Sequence, residues 1–302
     1  MSVLETDLFI RAYTEPPNWT PKVFRPAGFE FDITSDWQVI FDTETTVDAL
    51  QKLRVGFAQV RHAGTLKYEV IFIADELPDA DLAVVLAYAS AHDLDVIPIE
   101  AFRRTIILDI GYLANGAIIG FNLPFDIARI ALASGEARGS MFGGFTFRLT
   151  RWKSDPNIRI KHLNPTTALI DFAAPGKPKQ PRSMRKRNVK PASNRGTFID
   201  AKTIAAALLT GRYSLAALAK RLNTPTQKQE TEEHGGPLTP EYLSYARDDV
   251  QATWECYEAL AKIYAGFGLS TPLKRILSEA SLGKALLREM NIRPLLRRDY
   301  DA

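Results

Sequence analysis

Two carboxylates, Asp42 and Glu44, are two residues apart in Trp37-Gln-Val-Ile-Phe-Asp-Thr-Glu-Thr45. In an extended chain alternate side chains leave the backbone on the same face, so the pair would stand together at the end of the apolar run Val39-Ile-Phe41. Like charges held that close repel, and a cation between them removes the cost. Asp-x-Glu is also common on exposed strand ends, where both groups meet only water. Another acid, Asp126, falls in the first turn expected for a helix after the apolar segment Ala117-Ile-Ile-Gly120. A helix N-terminus alone favours a carboxylate there, and Asn122 suits a cap or turn. The third element is Tyr245-Ala-Arg-Asp-Asp249. Tyr245 and Asp249 are four apart and share one helical face bordering an apolar stripe, so Asp249 needs a partner or an ion, whereas Asp248 can turn to water. Tyr245 also fits the role of a core tyrosine bonded locally. A donor set of carboxylates without His or Cys suits hard Mg²⁺ or Mn²⁺ better than zinc.

These groups depend on the elements that carry them. Residues 37–45, 54–60 and 68–74 read as three strands in succession, an antiparallel meander. The spacing predicts a helix over 78–91 and another over 107–114, then a strand over 117–122 covered on both faces. A helix follows with Pro124 in its first turn and a stop at Gly135. Short strands are expected at 145–149, 159–162, 167–172 and 198–200, and helices at 201–209, capped by Asp200, and from Ser214 to Leu222. A long helix starts after Thr239 and reaches residue 264 or 265. Its apolar stripe is Leu243, Ala246, Val250, Trp254, Tyr257, Ala261 and Tyr264. A last helical piece covers 272–290. Strands and helices mixed in this way predict an α/β fold.

With 302 residues the chain can form one large α/β domain, or a domain of about 200 residues with an appendage. A hydrophobic content of 46% and a charged content of 24% exclude disordered and fibrous classes. Cys256 is the lone cysteine, so no internal disulfide or cysteine zinc framework is expected, and a reducing cytoplasmic setting is the default. No apolar run approaches the roughly 18 residues of a membrane span, and no basic segment feeds an apolar one at the start. Neither membrane insertion nor secretion is expected. The formal charge of +3 is small but unevenly placed: residues 177–196 hold eight Lys/Arg and no Asp/Glu, so the other 282 residues carry −5. That Pro-containing stretch, centred on Arg185, Lys186 and Arg187, reads either as a solvated surface loop or as a contact to nucleic-acid phosphate.

Phe41-Asp42-Thr-Glu44, Gly120-Phe-Asn122-Leu-Pro-Phe-Asp126 and Tyr245-Ala-Arg-Asp-Asp249 resemble, in order and wording, the three motifs of DEDD-superfamily 3′→5′ exonucleases. The Tyr-x-x-x-Asp form is similar to the tyrosine subclass. The Phe-Asn-x-x-Phe-Asp wording resembles the proofreading domain of family B DNA polymerases of phage, plasmid or organellar type, over roughly residues 36–265. The resemblance implies a ribonuclease H-like exonuclease fold with a mixed central sheet flanked by helices. It implies Asp42, Glu44, Asp126 and Asp249 as ligands of two Mg²⁺ or Mn²⁺, with Asp42 bridging and Asp126 acting through water, and Tyr245 orienting the attacking water. Asn122 and Phe125 match the second motif and are candidates for contact with the terminal nucleotide. The Ser214-Leu-Ala-Ala-Leu segment resembles the helix between the second and third motifs, and Lys228 beyond it is a candidate phosphate contact. Residues 278–292 resemble the helical connection that follows such exonuclease domains, and no acidic polymerase motif follows. The expected layout is an irregular arm over 1–35, the exonuclease domain over 36–268 with the basic insertion around 177–196, and a helical appendage over 269–302.

The implied activity is hydrolase chemistry, metal-dependent release of nucleoside 5′-monophosphates from single-stranded or frayed DNA 3′ ends. Polymerase or other replication proteins are implied as partners. Two further readings stay open. RNA 3′ ends are a possible substrate class, because no motif reads the ribose hydroxyl. A catalytically silent nucleic-acid-binding or assembly module of a DNA polymerase is the other.

Overall fold

The computed structural model describes residues 35–173, 196–227, 236–290 and 292. The expected meander forms. β1 (Trp37–Thr45), β2 (Leu53–His62) and β3 (Thr65–Ile73) pair antiparallel in succession. After α1 (Asp79–His92) comes β4 (Asp95–Pro98), then α2 (Ile99–Ala101), which runs into a wider π-type helix over Phe102–Leu113. β5 (Ala117–Gly120) leads into α3 (Leu123–Ile130), and four short strands follow: β6 (Ala133–Glu136), β7 (Phe145–Arg148), β8 (Ile158–Asn164) and β9 (Thr167–Phe172). The chain returns as β10 (Thr197–Asp200), α4 (Ala201–Leu209), α5 (Leu215–Leu222), the long α6 (Pro240–Ala265) and α7 (Glu279–Glu289).

The main sheet has six strands in the order β10-β5-β1-β2-β3-β4. β5 and β10 run parallel to β1, whereas β2 opposes it, so the sheet is mixed. β6 to β9 form a separate antiparallel sheet. Period-two alternation along β1 feeds two cores. Ile40 joins Val55, Phe57 and Ile71 beneath α1, α4, α5 and α6, where Leu243, Val250 and Leu260 close the layer. Val39 and Phe41 point the other way, with Phe72 of β3, against Phe102, Ile106, Ile127 and Ile158 of the π-type helix, α3 and the second sheet. β2 is covered on both faces, so it is buried along nearly its whole length, Arg54, Gln59 and Arg61 included. The segment after α6 packs back through Ile276 and Ala285 onto Ala207 and Tyr264.

Several expected boundaries shift. The helix expected to reach Gly135 stops at Ile130, because Ala131 is extended and the Leu132 N–H donates to the Arg148 carbonyl at 2.8 Å, drawing the following residues to the edge of the second sheet. Ala-Leu-Ala-Ser tolerates either state, and pairing decides. The helix expected over 107–114 starts earlier, from Ile99. The piece expected over 272–290 breaks into a single 3₁₀ turn, Leu273–Arg275, and α7, because Ser278 and Ser281 form a reciprocal capping box that restarts the helix. Asp95–Pro98 gave no strand signal, and its parallel pairing with β3 makes it one. Among the described residues, no helix is long and apolar enough to cross a membrane.

Candidate metal centre

β1 supplies two carboxylates by alternation. Its parallel pairing with β5 covers Gln38 to Ile40, and β5 turns into α3 after Gly120. Asp42 and Glu44 therefore continue beyond β5 while β2 still holds them from the other side, Asp42 opposite Phe57 and Glu44 opposite Val55. Ile40 shares their face and packs into the α6 layer, which sets the direction of all three. At Thr43, on the opposite face, β2 contributes Gly56, where a Cβ would collide with the Phe72 ring and the Asp42 carbonyl oxygen.

α6 supplies the third carboxylate. The Thr239 hydroxyl caps it by accepting from the Tyr242 N–H at 3.1 Å, and Pro240 occupies the first turn, where a missing N–H costs nothing. Leu243, Ala246 and Val250 bury the helix, and Asp249, 3% exposed, sits beside that stripe. Asp42, Glu44 and Asp249 each bring one carboxylate oxygen within 4.8 Å of the others'. Asp42 is half-buried and Glu44 is 9% exposed. The three line a cleft of about 360 Å³ whose walls include Gln51, Phe125, Tyr242 and Tyr245. Three oxygen-donor anions at this spacing fit a hard divalent cation.

Tyr242, Tyr245 and Asp249 stand at i, i+3 and i+7, so one face of α6 presents all three. The Tyr242 hydroxyl donates to Glu44 Oε2, and the two tyrosine rings lie 6.1 Å apart at 28°. Burial, reinforced by the Glu44 charge, holds the Tyr242 phenol far above its ordinary pKa, so it stays a donor.

Asp126 reaches the region from behind. It is 2% exposed in the first turn of α3 and accepts from the Thr43 hydroxyl at 2.7 Å, the residue between Asp42 and Glu44 but on the other face of β1. The convergent trio does not include it. Burial pushes its carboxyl up to about 8; the Thr43 bonds oppose this and the nearby Asp200 charge adds to it. Asp200 occupies the expected N-cap position of α4, and burial raises its pKa as well. Its carboxylate accepts from the Asn122 N–H at 2.7 Å and the Thr203 hydroxyl at 2.8 Å.

Asn122 has a left-handed backbone (φ 70°), which Asn tolerates better than most residues, and its Oδ1 accepts from Lys202 Nζ at 3.2 Å. It does not line the cleft; Phe125 does, with the Arg129 guanidinium 4.6 Å from the ring centroid. Arg129 also donates to the Leu50 carbonyl and to Gln51 Oε1, tying α3 to the β1–β2 turn at the cleft's lip. Arg185, Lys186, Arg187 and Lys228 lie outside the described residues. Of the residues that sequence reasoning passed over, Tyr242 was readable from its helical spacing to Tyr245 and Asp249. Thr43 gave no such signal, and Asp200 was readable only as a helix cap, because the partners that bring them here are distant in the chain.

No family model matches the sequence, and no curated protein matches it. Among solved structures the chain is similar to Phi29 DNA polymerase complexed with single-stranded DNA, at 14% identity and a TM-score of 0.33, over 84% of this chain and 35% of that one. The chain thus spans about a third of that polymerase's length.

Proposed function

We propose that the protein is a divalent-metal-dependent 3′→5′ exonuclease with a ribonuclease H-like fold, of the tyrosine subclass of DEDD enzymes, acting on single-stranded or frayed DNA ends. One observation carries the reading: carboxylates separated by as much as 207 positions in the chain, Asp42, Glu44 and Asp249, bring their oxygens within 4.8 Å of one another in a cleft that Tyr245 also lines. The strand order supports it, with an antiparallel β1-β2-β3 meander continued beyond β1 by the parallel strands β5 and β10.

In this reading Asp42, Glu44 and Asp249 hold the cations directly, and Asp126 supports them from behind through Thr43. Divalent cations held there would acidify a water and neutralise the departing 3′-oxygen. Tyr245 orients the attacking water with its hydroxyl. Phe125, stiffened by Arg129, gives the terminal base an apolar wall on which any base can stack. Hydrolysis forms a bond from water oxygen to phosphorus and breaks the bond to the 3′-oxygen, which takes up a proton. The products are a nucleoside 5′-monophosphate and a strand one residue shorter. Residues 36–268 would form the catalytic unit, with 269–302 appended, and proofreading beside a polymerase is the role this substrate class suits.

The test uses the full chain with DNA and RNA oligonucleotides labelled at either end, in Mg²⁺, Mn²⁺ or chelator. Release of 5′-mononucleotides from the 3′ end of DNA, abolished by chelator and by Asp42→Asn, is the expected result. Binding without turnover in every metal would overturn the enzymatic reading, and turnover confined to RNA would reassign the substrate.

A further inference from the structure

Before any cation arrives the cleft is unfavourable to its own acids. Three carboxylates with oxygens within 4.8 Å repel, and Glu44, on a long flexible side chain, can relieve this by swinging toward water. The Tyr242 hydroxyl donates to Glu44 Oε2, opposing that swing. We propose that Tyr242 is a positioning residue that holds Glu44 in the cleft and so pre-forms the cation site. This inference rests on the metal-dependent reading above.

The frame around Tyr242 suits the task. The residue is 5% exposed and is the third of α6, in the first turn set by Thr239 and Pro240. Arg54, 9% exposed and electrostatically coupled to the phenol, donates to Asp81 Oδ2 at 2.8 Å and to the Gly236 carbonyl at 2.7 Å. Asp81 Oδ1 accepts from the Leu238 N–H at 3.2 Å. That brace joins β2, α1 and the segment leading into α6, the helix that carries Tyr242 in its first turn. Tyr245, one turn further on, lines the same cleft and is half-buried, more open than Tyr242. The two tyrosines thus divide the work: one fixes a ligand and the other addresses the reacting water.

The experiment measures Mn²⁺ binding calorimetrically without substrate, alongside melting in chelator and the Mg²⁺ dependence of turnover. Tyr242→Phe keeps the ring and removes the hydroxyl. Its Mn²⁺ dissociation constant should rise about tenfold, the usual cost of losing a group that orients a metal ligand. The Mg²⁺ concentration for half-maximal turnover should rise in parallel, with kcat recovering toward the parent value as Mg²⁺ saturates, and the melting temperature in chelator should fall by no more than the few degrees that one buried hydrogen bond to a carboxylate accounts for. Tyr245→Phe should lower kcat and leave Mn²⁺ affinity intact. If Asp42→Asn abolishes Mn²⁺ binding while Tyr242→Phe binds like the parent, the positioning role fails and the metal reading stands. If the parent binds no Mn²⁺, the metal reading itself fails. A melting loss larger than those few degrees, joined to a kcat that saturating Mg²⁺ does not restore, would make Tyr242 a packing residue and overturn the proposal.

Discussion

At Asp42, stability and activity should pull in opposite directions. Ionised carboxylates within 4.8 Å repel by about 3 kcal/mol per pair at an effective dielectric near 20. Asp42→Asn relieves part of that repulsion, so the metal-free protein should melt a few degrees higher, while on the proposed reading turnover in Mn²⁺ falls by about 10³-fold or more. Calorimetry in chelator beside the nuclease assay checks both signs; a lower melting temperature with unchanged turnover would assign Asp42 to structure. Asp126 makes a pH prediction. Its carboxyl titrates near 3.8 when unfolded and at about 8 when buried, so between those values the folded protein holds a proton that the unfolded chain has lost. Stability from this group is therefore complete below about pH 4 and declines until the pH passes about 8. Asp126→Asn keeps an acceptor for Thr43 without the titration. Urea midpoints in chelator from pH 5 to 8 should fall with pH in the parent and stay flatter in the variant.

Among the elements, β1 and β2 must approach closely where the acids project, and Gly56 permits it. A methyl group there meets the Phe72 ring and the Asp42 carbonyl oxygen, and the second contact is backbone that cannot rotate away. Gly56→Ala should cost about 2–3 kcal/mol and weaken Mn²⁺ binding by displacing Asp42. Gly283, inside α7 with no atom within 4 Å of a built Cβ, is the control. Gly283→Ala should stabilise by about 0.5–1 kcal/mol and leave Mn²⁺ binding at the proposed site unchanged. Denaturant titrations with Mn²⁺ calorimetry separate the two. Local sequence carried much at this scale. Thr239-Pro240 announced the start of α6, Ser214 capped α5 through the Ala217 N–H as expected, and strand alternation put Asp42 and Glu44 on one face. It failed at residues 131–136, where a helix-tolerant stretch pairs with β7 instead, a choice made by a partner strand and invisible to propensity.

Across the whole molecule the charge is divided, with eight cations in residues 177–196 against a net −5 elsewhere. If those cations face phosphate, neutralising Arg185, Lys186 and Arg187 should flatten the dependence of log affinity on log salt by about 2, at roughly 0.7 per lost contact to a single strand. Titrations of a single-stranded oligonucleotide between 50 and 200 mM salt read this directly, and an unchanged slope would make the stretch a solvated surface.

Periodicity and spacing alone settled which side chains share a face: Asp42 with Glu44 on a strand, Tyr245 with Asp249 on a helix, and the apolar stripe that buries α6. These follow from backbone geometry within a few residues, so one sequence suffices to read them. Tertiary structure decided what meets across the fold. It drew Asp249 to the β1 pair, gave Glu44 the Tyr242 hydroxyl, and set Asp126 behind Thr43 next to Asp200. Those contacts depend on strand order and helix docking, which are set by the burial of two separate cores, and no local spacing encodes how distant segments come together when they fill.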